Sequence, residues 1–334
     1  MTAADILKEI KNRKFKPIYL LHGEESYYID LIADALESTV LTEAERGFNM
    51  SIFYGKDTDP VNVLNAAKRF PMMSDYQVIM VKEAQDLKFD KIADAFQAYC
   101  EKPLQSTVLI LCHKYSKFDK RKKVYKTIEK SGLVFESATI YENKVPGWID
   151  EFVRARGYHI NPKASQLLAE YLGNDLGKIA NEVEKLMLNV TQGQEIGTKE
   201  IQDNIGISKE YNVFELQNAL GRKDVLKANQ IINYFEANPK SNPLVLVMGN
   251  LYTYFSKILK YHYLQDKGEA AKVLGVNPYF VKDYELAARN YSWAKVFEII
   301  SLLREYDAKS KGVDSTGNTN DGDLMKELVW KIVH

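Results

Sequence analysis

The chain has 334 residues, 46% of them hydrophobic and 11% aromatic, enough to bury more than one core. Its 45 Lys and Arg balance 45 Asp and Glu, which excludes a protein whose whole surface grips nucleic acid or an anionic membrane and confines any basic patch to a local stretch. Cys100 and Cys112 are too few for a disulfide framework and lie outside C-x-x-C spacing. With no leader-like start and no run of 18 apolar residues, they read as reduced thiols of a cytoplasmic protein with no membrane partner.

From the N-terminus, short β-rich runs alternate with helical patterns. The runs are PIYLLH at 17–22, SIFYG at 51–55, QVIMV at 77–81, TVLILC at 107–112 and GLVFES at 132–137. Between them lie YIDLIADALEST, PVNVLNAAKRF, FDKIADAFQAYCEK and KRKKVYKTIEKS. Nearly continuous apolar strands separated by helices predict an α/β domain with a parallel sheet covered on both faces. From 148 onward the periods are helical: 148–156, 162–172 and GNDLGKIANEVEKLMLNV make a small unit closing near 206. From Val213 seven further helical patterns, ending in DLMKELVWKIV, make an all-α bundle. The turn-rich GVDSTGNTNDGD at 312–323 reads as a surface loop.

The stretch PIYLLHGEESYYID at 17–30 has the layout of a strand, a phosphate loop and a helix. Such a loop needs a second glycine, a lysine and a Ser/Thr hydroxyl at fixed offsets. Counted from Gly23, those positions hold Tyr28, Ile29 and Asp30, while Glu24 and Glu25 repel phosphate. VIMVKEA at 78–84 offers only Glu83 where a magnesium-binding strand presents an Asp-Glu pair. No nucleotide cofactor is expected.

Five scattered histidines, with only His113 beside a cysteine, imply no metal. HKYSKFDKRKKVYKTIEK at 113–130 gathers Lys114, Lys117, Lys120, Arg121, Lys122, Lys123, Lys126 and Lys130 around Tyr115, Phe118 and Tyr125. It reads either as a solvated helix face with its aromatics turned into the core, or as a patch contacting DNA phosphates.

Four stretches together resemble the δ subunit of the bacterial DNA polymerase III clamp loader: PIYLLHGEESYYID, FPMMSDYQVIMVKEA, NDLGKIANEVEKLML, and AKVLGVNPYFVKDYELAARN followed by YDAKSKG. Their order and spacing span essentially the whole chain. The resemblance implies a degenerate AAA+ module: a RecA-like domain over 1–140, a helical lid over 141–210 and a helical collar over 211–334. The collar would join a hetero-pentamer with the gamma or tau and delta-prime subunits. In that family the subunit has no catalytic residue and no cofactor; it opens the ring-shaped sliding clamp, beta, while its partners split ATP, and meets primer–template DNA through the complex. The resemblance also implies a clamp-binding element at Phe70, Pro71, Met72 and Met73, with the two methionines as the inserting pair. The residues alone leave two alternatives open: an AAA+-like ATPase with an atypical nucleotide site, and a helical nucleic-acid-binding module acting through residues 113–130.

Overall fold

Strands β1 (Ile18–Gly23), β2 (Met50–Tyr54), β3 (Gln77–Lys82), β4 (Thr107–Lys114) and β5 (Leu133–Ser137) form one wholly parallel sheet in the order β2-β3-β4-β1-β5. The structure, a computed structural model, describes residues 1–191, 193–205, 211–313 and 320–334. Side chains alternate between two cores. Tyr19 and Leu21 of β1 join Ile6 and Ile10 of α1 (Ala3–Lys11) and Ile29, Ile32 and Leu36 of α2 (Ser26–Thr39). Ile18 and Leu20 face the other way, against Val63 of α4 (Pro60–Ala67), Phe96 of α5 (Ala93–Glu101) and Ile128 of α6 (Lys123–Ser131). Both faces are therefore apolar. Each fully buried Leu or Ile contributes roughly 1.5–3 kcal/mol, which explains why the strands read as unbroken hydrophobic runs.

The connection leaving β1 passes over β4 and β3 to β2, whereas the one leaving β4 passes over β1 to β5. The crevice of this doubly wound sheet thus opens outside the C-terminal ends of β1 and β4, at Gly23 and Lys114.

Several boundaries differ from expectation. Helix α4 stops at Ala67 rather than running to Phe70, because Phe70 precedes Pro71 and is steered out of helical geometry. Strand β4 runs two residues further, to Lys114, and α6 starts only at Lys123, so Lys117, Lys120, Arg121 and Lys122 sit on the connection rather than on a helix face. Helices α1 and α3 (Glu43–Asn49) had no counterpart in the sequence reading.

Residues 1–140 and 141–334 are two compact units. The second holds α7 (Val145–Arg154), α8 (Pro162–Leu172), α9 (Leu176–Leu188) and α10 (Thr198–Ile205), with two-residue strands β6 (His159–Ile160) and β7 (Glu195–Ile196) paired in parallel. It continues through α11 (Val213–Gly221), α12 (Val225–Ala237), α13 (Leu244–Tyr263), α14 (Ala270–Leu274), α15 (Val281–Asn290), α16 (Trp293–Ser310) and α17 (Asp321–Val333). The lid–collar boundary expected at 210/211 lies at the edge of residues 206–210, which are outside the described residues, as are 314–319 of the expected loop. Helix α17 begins at Asp321 instead of after the loop, because the Asn320 side chain accepts from the Gly322 N–H and caps it.

Candidate functional site

At the crevice, the residues standing where phosphate chemistry would be are bonded to the protein itself. Gly23 has φ +147°, and a Cβ there would lie 1.9 Å from the Ser137 carbonyl oxygen, so only glycine fits against the end of β5. The next turn is tied to the same strand end: the Glu25 N–H donates to the Ser137 carbonyl at 3.3 Å. The buried Glu25 carboxylate accepts from the Tyr27 N–H at 2.8 Å and caps α2, and Glu24 accepts from the Thr139 hydroxyl at 3.1 Å. Ile29, at the lysine position of the phosphate loop, is fully buried in the α1–α2 core, with Tyr28 packed beside it. Asp30, at the magnesium-binding hydroxyl position, pairs with Lys114 at 2.5 Å, across the mouth of the β1–β4 crevice.

His22, one residue before the loop, is completely buried. Its Nδ1 accepts from the Phe118 N–H at 3.2 Å, and its ring packs edge-on against Tyr125 at 5.8 Å. Burial, aided by His113, Lys120 and Lys117 and opposed by Glu136, pushes its pKa down to about 4, so the ring is neutral at physiological pH. Burial likewise pushes both Cys100 and Cys112 up to about 12, which leaves them as inert core thiols. Glu83 follows β3 with φ +54°. Among the described residues no group of three or more His, Cys, Asp or Glu is arranged to hold a metal ion.

The basic stretch is largely answered within the chain. Besides Lys114, Lys117 and Lys120 lie 3.7 and 2.6 Å from Glu136, Arg121 lies 3.0 Å from Asp119, Lys122 lies 3.2 Å from Asp90, and Lys123 lies 3.4 Å from Glu101. Arg121 holds the Asp119 carboxyl down to about 2. Tyr125 is buried, Phe118 partly so and Tyr115 exposed. Phosphates would have to compete with these carboxylates for six of the eight cations; Lys126 and Lys130 form no ion pair among the described residues.

The opposite end of the sheet looks outward. The connection from α4 to β3 exposes Phe70 at 75%, Met72 at 62% and Met73 at 102%, where large apolar side chains gain nothing for the fold. Pro71 lies between them, half-buried, and Met73 adopts φ +51°. The loop is nonetheless anchored. Buried Gln77 donates to the carbonyls of Ala66 (3.2 Å) and Arg69 and to the Thr107 hydroxyl (2.8 Å), and that hydroxyl donates to the Ala67 carbonyl at 3.0 Å. These bonds tie down carbonyls at and just beyond the last turn of α4. Buried Asn49, at the end of α3, grips Met72: its Oδ1 accepts from the Met72 N–H at 2.7 Å and its Nδ2 donates to the Met72 carbonyl at 2.9 Å. Neither Asn49 nor Gln77 was singled out from the sequence. The only signal nearby was Thr42-x-x-Glu45, the capping box that starts α3.

A parallel, doubly wound sheet with a glycine turn at its switch point, its phosphate positions filled by core and ion-paired side chains, defines the class: a nucleotide-fold scaffold closed at its crevice and bearing an apolar tip at the other end. The chain belongs to the DNA polymerase III delta subunit family. The description "DNA polymerase III, delta subunit" matches residues 19–138, and "DNA polymerase III delta subunit, C-terminal domain" matches 210–322. The DNA polymerase III subunit delta of Bacillus subtilis (strain 168) is 26% identical over 336 aligned residues, covering 97% of this chain and 94% of that protein. The solved Bacillus subtilis DNA clamp loader delta protein superposes with a TM-score of 0.57 at 23% identity, over 99% of both chains, which shows a shared fold. Among the described residues no helix is long and apolar enough to cross a membrane.

Proposed function

We propose that this protein acts in clamp loading as the subunit that binds the sliding clamp and holds it open, while partner subunits bind and split ATP. The observation that carries the reading is the tip: two large apolar side chains, Met72 mostly and Met73 wholly in solvent, on a loop whose backbone is pinned by buried polar groups. A side chain displayed at such expense suits insertion into a partner's pocket, and methionine's unbranched, polarizable chain fits a pocket whose shape changes as the ring opens. Opening a closed ring requires only that the open form be bound more tightly than the closed one, so the activity is differential binding rather than chemistry.

The helices from α11 to α17 supply the collar through which the chain joins gamma or tau and delta-prime subunits, and DNA is met through that assembly. The paired cations of residues 113–130 make this stretch a poor phosphate surface for the isolated chain. The test is the double substitution M72A/M73A. Clamp affinity, read by surface resonance, is expected to fall by about 2 kcal/mol or more, roughly thirtyfold, while the melting temperature stays unchanged because neither side chain is buried. Unchanged clamp affinity in the folded variant would rule out the tip as the anchor.

A further inference from the structure

Helix α3, EAERGFN, has no apolar face, and the one side chain it buries is Asn49. An amide at that position is unusual: a hydrophobic residue would seal the short helix against the domain, whereas a buried amide is tolerated only where its hydrogen bonds are made. Here both polar atoms are directed at one residue, Met72, taking its N–H and its carbonyl together in reciprocal bonds of 2.7 and 2.9 Å. These bonds hold the residue just before Met73, which is left wholly in solvent with a left-handed backbone that is uncommon for a non-glycine residue. Gln77 fixes the start of the loop; α3 fixes its crest.

We propose that Asn49 is the positioning residue of the tip: by clamping the Met72 backbone it sets where Met72 and Met73 point before a partner arrives, so that little conformational freedom is lost on binding. This rests on the reading of the tip as the clamp anchor. It adds a residue that does not itself enter the partner's pocket, 23 positions away in sequence, on an element that buries no other side chain.

The experiment compares four full-length proteins, wild type, N49A, M72A/M73A and the triple variant, for binding to the sliding clamp, for melting temperature and for tryptic cleavage after Lys68 and Arg69. N49A is expected to weaken clamp binding about tenfold and to speed cleavage at the loop, and to cost nothing further in binding when the methionines are already alanine. That loss of additivity separates positioning from a merely structural role, since general destabilisation would weaken both backgrounds equally. An equal loss in both backgrounds overturns the proposal. So does unchanged binding by N49A when M72A/M73A loses thirtyfold, and in that case the tip reading stands. If M72A/M73A itself binds the clamp normally, the tip reading fails and this inference falls with it. Should N49A not fold, N49D serves in its place. It keeps the size and the acceptor for the Met72 N–H but loses the donor, and is expected to weaken binding by several-fold with the same dependence on the methionines.

Discussion

The two ends of the parallel sheet differ in what their backbone and side chains are bonded to. At the C-terminal end, where doubly wound folds hold their ligands, Gly23, Glu24, Glu25, Asp30 and Lys114 are all engaged with other parts of the same chain. At the N-terminal end, before β3, backbone groups are equally well satisfied, yet the side chains of Phe70, Met72 and Met73 are left in water. The difference teaches that a turn with the layout of a phosphate loop can be held as structure alone, and that the exposed apolar surface of this domain lies at the other end of the sheet. Each end then has its own signature: damage at the crevice should appear as lost stability, damage at the tip as lost affinity.

The largest effect should come from Gly23→Ala. A methyl group at φ +147°, facing the Ser137 carbonyl, forces β1 and β5 apart at their C-terminal ends. The expected cost is about 4 kcal/mol or more, enough to deplete the folded state of an ordinary domain, as measured by denaturant unfolding. A glycine kept only for a lost phosphate would tolerate alanine. A G23A variant with wild-type stability would break the comparison.

The crevice side was the more legible in sequence. Five apolar runs fall on five strands because a sheet covered on both faces needs hydrophobic residues at every position, and the missing lysine and hydroxyl can be counted directly from Gly23. Pro71 and the turn residues Ser74 and Asp75 mark a connection at Met72 and Met73, but only the family resemblance favours an exposed pair over one packed under the sheet. What holds that tip was not legible. Helix α3 has no hydrophobic period, and α1 spans only nine residues with Ile6 and Ile10 buried, too short for its pattern to stand out. The pairings Asn49 with Met72 and Lys114 with Asp30 join residues far apart in the chain, and single side chains carry no periodic signal. The partners of the basic stretch were not legible for the same reason: Asp90, Glu101 and Glu136 come from elsewhere in the domain.

A second prediction sharpens the crevice side through pH. His22 titrates near 4 in the folded protein, below the ordinary value of 6.5, because burial disfavours its charged form. Between those values the unfolded chain binds the proton and the folded one does not. The contribution of His22 is therefore complete above about pH 6.5 and is lost as pH falls toward 4, about 3 kcal/mol in all. His22→Asn keeps an acceptor for the Phe118 N–H but does not titrate, so its stability should fall less steeply over that window in urea melts run across pH. Clamp affinity per folded molecule should be the same for both proteins.

A smaller effect is expected from Asp30→Asn. The pair with Lys114 is half-open to solvent on the aspartate side, so screening limits its worth to between about 0.5 and 1 kcal/mol. That loss should shrink in high salt, and it should leave tip-dependent binding untouched.

The smallest expected effect is none: titration of magnesium-ATP into the protein should give no saturable heat. To admit a triphosphate the crevice would have to release the Glu25–Ser137 and Glu24–Thr139 hydrogen bonds and the Asp30–Lys114 pair, at roughly 1 kcal/mol each. A ligand of millimolar affinity brings only about 4 kcal/mol, and two carboxylates beside the phosphates remove more. Nor can a single substitution restore the site, because the lysine position, Ile29, lies in the core, where an ammonium group would be buried without a partner. Micromolar, magnesium-dependent binding would mean that the internal bonds at the crevice open readily, and the contrast between a closed end and an open end of the sheet would not survive it.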